Sequence, residues 1–505
     1  MKDWVRINMG LDKKVNYNSA KIWQIACFAF NNTATNVIML LMTYVSYYAT
    51  GVVGLAVVLV SSLLTSMRMF DAVTDPIIGF VIDKTNTKLG KFRPMIFIGY
   101  ATMTVSILTL YNTLHLFPEN LKLPGFIILY AIYIIGYTFQ TACTKAGQAC
   151  LTNNPAQRPL FARFDGIYNL ILFAVSAQYA SGYIAPKYGG FTLEAMREFS
   201  LTYVIIAGIF TTLAIFAIWK KDREEFFGTG KKAPKIKFRD YISILKGNRA
   251  LQMLTIAAAT DKLALQTSSN SSVMIMLYGI VMGNFALYGK MSLITAIPTF
   301  IIIIFGTKYA SKFGSKKALV LFTWLSMLGY TALFLILSLG DPTKISLENM
   351  GIMTILWIGT FCIAKGFTSI SGGIVIPMIA DCADYETYLS GRYVPGMMGT
   401  LFSFVDKIVS SFATTIIGFA VAYLGYTTSI PQATDPNIEG MFAVTMALFI
   451  GMPMLGWIAS LIAMKFYPLD EEKMKEIQSK IQEIKEKDIV IESCDEELES
   501  EVVLS

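Results

Sequence analysis

Charged side chains make up only 15% of this 505-residue chain, and it has one histidine, His115, and six cysteines. Each shortage excludes something. A lone histidine near an expected outer loop can complete neither a Ser-His-acid set nor a His/Cys metal cluster, so hydrolytic and metal-based catalysis are not expected. Cys27, Cys143, Cys150 and Cys362 fall inside apolar segments, and Cys382 and Cys494 on the presumed cytoplasmic side. No pair is placed for an external disulfide, so the thiols read as packing residues. Residues Met1 to Asn18 carry charges but no apolar core ahead of a small-residue cleavage site, and no removable leader is expected.

What the chain has instead is apolar length. Hydrophobic residues make up 54% of it, too many for a soluble surface to hide. Apolar segments of about 20 or more residues recur between Ile22 and Phe466, about twelve in all, each able to cross a ~30 Å hydrocarbon layer as a helix. An all-α, polytopic membrane protein of twelve transmembrane helices is therefore predicted.

The net charge of +7 follows from topology and not from a nucleic-acid face, because the basic residues gather in alternate connections. Lys84, Lys88, Lys91 and Arg93 follow the second segment, Lys220 to Arg249 follow the sixth, and Lys308, Lys312, Lys316 and Lys317 follow the eighth. These connections should face the cytoplasm, which puts both termini inside. The polar stretch 220–248 reads as a cytoplasmic linker between an N-terminal six-helix bundle, 1–219, and a C-terminal one, 249–467. Residues 468–505 read as a charged cytoplasmic tail without a fold of its own. An imperfect repeat supports the halves, since Gly79, Asp83, Lys84, Gly90, Lys91 and Arg93 are echoed by Lys308, Lys312, Gly314, Lys316 and Lys317, the alternative being that any inside loop collects Lys and Gly.

Against this background the second segment stands out. It carries Arg68, Asp71, Thr74, Asp75 and Pro76. An aspartate at the centre of a membrane helix costs about 2.5 to 3.5 kcal/mol on insertion scales, so two of them one turn apart need a cation, a proton or a basic partner. Carboxylates with a hydroxyl beside them suit a hard cation such as Na⁺, so Asp71 and Asp75 are the metal-ion candidates. Like charges this close would also raise one pKa and suit a proton. The plainer alternative is a buried Arg68–Asp71 pair, with Asp75 capping a break at Pro76.

Lys145 lies deep in the fourth segment and Arg163 at the start of the fifth, read either as contacts for substrate oxygens or as side chains reaching for the interface. Asp406 and Lys407 are adjacent in the eleventh segment and point about 100° apart, so they cannot satisfy each other. Lys407 is expected to face a central cavity with the Asp71 and Asp75 pair as its partner. Asp261, Lys262 and Lys365 are weaker candidates. Asp381, Asp384 and Arg392 close the tenth segment on the inside, where they either form a gate with Asp83, Lys91 and Arg93 or belong to a plain solvated loop. Tyr44, Tyr47 and Tyr48 read as an interfacial belt.

These motifs resemble the glycoside-pentoside-hexuronide:cation symporters, a branch of the major facilitator superfamily. The resemblance runs from about Asn16 to Glu476 and rests on Arg68, Asp71, Asp75 and Pro76, on Asp83 through Gly90, Lys91, Arg93 and Pro94, and on Asn248 and Arg249. Ala380, Asp381, Asp384, Tyr385, Lys407 and Phe466 through Leu469 complete it. It implies two six-helix halves with alternating access, and a sugar co-transported with Na⁺, Li⁺ or H⁺, with no other cofactor. By the same resemblance, Asp71, Thr74, Asp75 and Thr138 correspond to the cation site, and Arg163 and Lys407 to basic residues linking cation and sugar. Thr35, Thr141 and Lys145 occupy substrate positions that melibiose-type members fill with two carboxylates and a Trp. That exchange favours an anionic sugar such as a hexuronide. The expected partners are a sugar or glycoside, the coupling cation and the lipid bilayer, around a monomer in the cell membrane. A lipid-like solute on the same fold, or a sensor or scaffold using the tail, are the alternatives.

Overall fold

A computed structural model describes residues 19–84, 87–152, 157–223, 246–390, 395–470, 472–477 and 479–480. Linker residues 224–245, Arg392 and the tail from 481 lie outside the described residues, as do the side chains of Asp83 and Lys145.

Among the described residues twelve long helices follow one another: α1 (Ile22–Met42), α2 (Val57–Lys84), α3 (Phe92–Thr113), α4 (Glu119–Leu151), α5 (Arg158–Tyr179), α6 (Leu193–Ile218), α7 (Arg249–Ser268), α8 (Ala286–Phe313), α9 (Ser315–Leu339), α10 (Ile352–Ser390), α11 (Pro395–Tyr423) and α12 (Met452–Phe466). Ten spans among the described residues are long and apolar enough to cross a bilayer. α5 and α7 are not among them, although they have 22 and 20 residues. The cause is their charge: α5 carries Arg163 and Asp165, and α7 carries Asp261 and Lys262. Helices of this kind gain from polar neighbours inside a bundle and would be poor spans alone. α10 is 39 residues long, about 58 Å at 1.5 Å per residue, so its C-terminal end projects well past a ~30 Å hydrocarbon layer.

By packing, the chain divides into two compact units, residues 1–42, 73–173 and 196–233 in the first, and 43–72, 174–195 and 234–505 in the second. The first has a core of Ile25, Phe28, Ile82, Ile96, Cys143 and Phe161. There α3 and α4 touch backbone to backbone, for a Cβ on Gly99 or Gly136 would lie 2.8 Å from the other's carbonyl oxygen. Small residues allow this approach where apolar lipid gives helices no hydrophobic reason to associate. A buried polar network joins α1, α4 and α6: Asn31 donates to the Thr144 hydroxyl at 2.7 Å, and Gln140 to Asn31 at 3.1 Å and to Thr211 at 2.9 Å.

In the second unit the core is built on Leu251, Leu254, Leu319, Ile370, Met378 and Met464. The start of α2 packs here on α11, with Thr65 Oγ1 bonding the Ser411 carbonyl at 2.9 Å and meeting the Thr414 and Thr415 hydroxyls at 2.8 and 2.6 Å. Tyr44, Tyr47 and Tyr48 are buried here, which corrects their reading as an interfacial belt. They follow α1 around a short helix, Val45–Gly51, where Tyr47 donates to the Pro431 carbonyl at 3.2 Å and packs on Phe191. Three π-helical turns among the described residues, Ala180–Ile184 after α5, Ile275–Val281 after α7 and Ala447–Gly451 before α12, belong to the same unit.

The repeat seen in sequence has a backbone counterpart: Gly90 after α2 and Gly314 after α8 both take left-handed φ values, +101° and +89°.

Candidate functional site: ionised residues at membrane depth

α2 runs unbroken through Pro76, so Asp75 caps no break there. Asp71 does not pair with Arg68 among the described residues. Its carboxylate meets Lys407 Nζ from α11 at 3.0 Å, the partner expected from sequence. The side chains are 17% and 27% exposed, so the pair is largely removed from bulk solvent. Asp406, next to Lys407, goes the other way to an ion pair with Lys262 on α7. The helical 100° between neighbours thus separates two charge pairs. Asp261 is buried and accepts from the Ser460 hydroxyl at 3.1 Å. The weaker sequence candidates Asp261 and Lys262 are therefore engaged within the second unit.

In the first unit Thr74 lies 3.4 Å from Thr138, hydroxyl to hydroxyl, and both are buried. Thr138 also donates to the Ile134 carbonyl at 3.0 Å. Thr35 and Thr141 spend their protons on their own helices, at the Asn32 and Tyr137 carbonyls, 2.8 and 2.9 Å away. A hydroxyl used this way keeps lone pairs for another donor. Arg163 is exposed on α5, and Asp75 is half-buried on α2. Among the described residues no group of three or more His, Cys, Asp or Glu side chains gathers as a metal cluster.

Of the expected gate residues, Arg93 is held by Asp222 at 3.4 Å. Sequence reading missed Asp222, placing it only within a polar linker. It is fully buried and accepts from the backbone N–H groups of Lys91, Phe92 and Arg93 at 2.9, 3.0 and 2.8 Å, which satisfies the first turn of α3. At the linker's other end Asn248 caps α7 through Leu251 N–H at 2.9 Å and donates to Glu386 at 3.0 Å.

Asp381 and Asp384 lie on α10 beyond its apolar span, Ile352–Val375. Burial and the neighbouring Asp384 push the Asp381 carboxyl up to about 6. A raised folded-state value means that the folded protein holds this proton more tightly than the unfolded chain does. The stability it supplies is complete below the ordinary carboxylate value and is lost as pH rises through about 6. Asp381→Asn should therefore flatten the decline in Tm between pH 4 and 6.5 and melt higher than wild type at pH 7.5. An unchanged Tm profile would refute this.

A many-helix membrane body with paired ionised side chains at depth defines a multi-pass membrane transporter of the major facilitator fold. The chain belongs to the MFS/sugar transport protein family, whose model matches residues 27–471. It is similar to the uncharacterised symporter YnaJ of Bacillus subtilis strain 168, at 25% identity over 89% of this chain and 91% of that protein. It is also similar to a glucuronide carrier protein homologue of Escherichia coli strain K12, at 24% identity over 86% and 89%. Among solved structures the nucleoside transporter NupG superposes with a TM-score of 0.59 at 12% identity, covering 89% of this chain and 99% of NupG, a likeness of fold.

Proposed function

We propose that this protein is a secondary active transporter that carries a sugar or glycoside, anionic as in a hexuronide, in symport with Na⁺ or H⁺. The observation that carries the reading is the Asp71–Lys407 pair at membrane depth, a charge contact that an incoming cation can replace. The names of the relatives support it, one an uncharacterised symporter and the other a glucuronide carrier protein homologue.

In this proposal the cation enters among Asp71, Thr74, Asp75 and Thr138, and Li⁺ is accepted as well. Lys407 is then released toward the solute, with Arg163, Lys145, Thr35 and Thr141 completing its contacts. Coupling follows because a ligand shifts an equilibrium only by its differential affinity for the two states, and cation and solute both favour the released state. Asp83, Lys91, Arg93, Asp381, Asp384 and Arg392 serve the cytoplasmic gate. The two six-helix halves, 1–219 and 249–467, rock about this centre in a monomer of the cell membrane with both termini in the cytoplasm.

The test is solute counterflow in proteoliposomes of the full chain, with glycosides and hexuronates as solutes and with Na⁺, Li⁺ or acid added in turn. Exchange should rise with at least one of the three. A transported solute indifferent to all of them would remove the symport.

A further inference from the structure

The second unit contains a cavity of about 230 Å³ whose walls come from α7 to α10 and from the π-helical turns Ile275–Val281 and Ala447–Gly451. That volume equals about eight waters at ~30 Å³ each, enough for one compact ring or a short polyol. Its one charged wall residue is Lys365. The ammonium reaches the Thr295 hydroxyl at 3.3 Å and lies 5.9 Å from the centre of the Phe361 ring. Among the described residues no carboxylate forms an ion pair with it. Lys365 lies thirteen residues into α10, about 20 Å from the helix start at 1.5 Å per residue. That depth is beyond the reach of a snorkelling four-carbon stem.

The other walls fit the same kind of visitor. Tyr278, beside the Trp357 indole, presents a buried hydroxyl that makes no hydrogen bond of good geometry, and it sits on the π-helical turn Ile275–Val281. Phe449 sits on the π-helical turn Ala447–Gly451. Single π turns inside helices recur at functional sites, because the extra residue turns a side chain out of the helical register. Tyr278, Tyr330, Phe361 and Phe449 supply ring surface, and Ser292 and Ser269 supply oxygens. A cation without a counter-charge, an unsatisfied phenol and aromatic walls call for a ligand with a carboxylate, hydroxyl groups and apolar C–H faces.

The geometry points to this cavity as a binding site for a carboxylate-bearing sugar or polyol, with the carboxylate on Lys365 and a ligand hydroxyl on Tyr278. The assignment rests on the transport reading above and gives its anionic solute a pocket beyond the contacts named there. It adds Lys365 as the residue that distinguishes a sugar acid from the neutral sugar.

Binding alone tests it. Trp357 stacks on Phe361 with ring centres 5.4 Å apart and meets Tyr278 edge-on at 6.4 Å, so a ligand in the cavity should alter its emission. Full-length protein in lipid nanodiscs is titrated with D-glucuronate and with D-glucose, by tryptophan fluorescence and by calorimetry. Wild type should bind glucuronate the more tightly. Lys365→Met should weaken glucuronate by about tenfold or more and leave glucose unchanged, whereas Lys365→Arg should hold it within about threefold. Ser292→Leu, which fills the cavity while keeping the lysine, should block glucuronate as well and guards against a Lys365→Met protein that fails to fold. Equal glucuronate affinity in wild type, Lys365→Met and Ser292→Leu overturns the site, and so does a wild type that does not bind glucuronate. A failure of the transport reading shows differently: Lys365-dependent glucuronate binding would persist while no solute moves under any cation gradient.

Discussion

Lys407→Ala is expected to abolish cation-driven accumulation and to lower stability, while Lys407→Ala combined with Asp71→Asn recovers the stability without the accumulation. The single substitution removes the 3.0 Å ion pair on which the Asp71 carboxylate rests in the second unit. Holding an aspartate in the bilayer without its ammonium costs about 2.5 to 3.5 kcal/mol. Neutralising Asp71 as well removes that penalty, so the two changes should be strongly non-additive, by about 1 to 3 kcal/mol in a double-mutant cycle. Accumulation stays lost in the double variant because the carboxylate that a cation would claim is gone. Thermal unfolding and vesicle uptake measured on the same preparations separate the two effects. A Lys407→Ala protein that melts and accumulates like wild type would end the argument.

The second large effect is purely structural. Asp222→Ala should destabilise the protein by about 3 to 5 kcal/mol, the usual consequence of breaking a buried charge pair from one side. Three backbone N–H groups at the start of α3 and the Arg93 guanidinium all lose their acceptor together. Asp222→Asn should cost less, since an amide oxygen still accepts. Gly90→Ala should resemble the alanine variant, because a Cβ there collides with the Asp222 carboxylate and Gly90 needs its left-handed φ of +101°. A melting temperature within a degree of wild type for Asp222→Ala would contradict the role.

These two sites differ in how far they could be read from the chain. Asp71 and Lys407 were legible because a charge in an apolar run demands an opposite charge, and few residues can supply it. The helical angle between Asp406 and Lys407 further fixed that they serve different partners. Asp222 was not legible, since its main partners are backbone N–H groups about 130 residues earlier, which leave no side-chain signature. The long apolar helices declared themselves by length. α5 and α7 did so less clearly, because the charges that adapt them to a polar interior dilute the signal of a span. The cavity around Lys365 depends on two π-helical turns about 170 positions apart, Tyr278 on one and Phe449 on the other. Periodicity gives no warning of either.

The contrast between two helix contacts has a mechanical consequence. The α3–α4 junction is backbone against backbone at Gly99 and Gly136, a fit that tolerates no sliding and makes the two rods a single lever. The α2–α11 junction at Thr65 is a cluster of hydroxyls, each hydrogen bond contributing about 1 kcal/mol and each able to trade its partner for water. In the rocking proposed above, the first kind of joint would stay welded and the second would open and close like a latch.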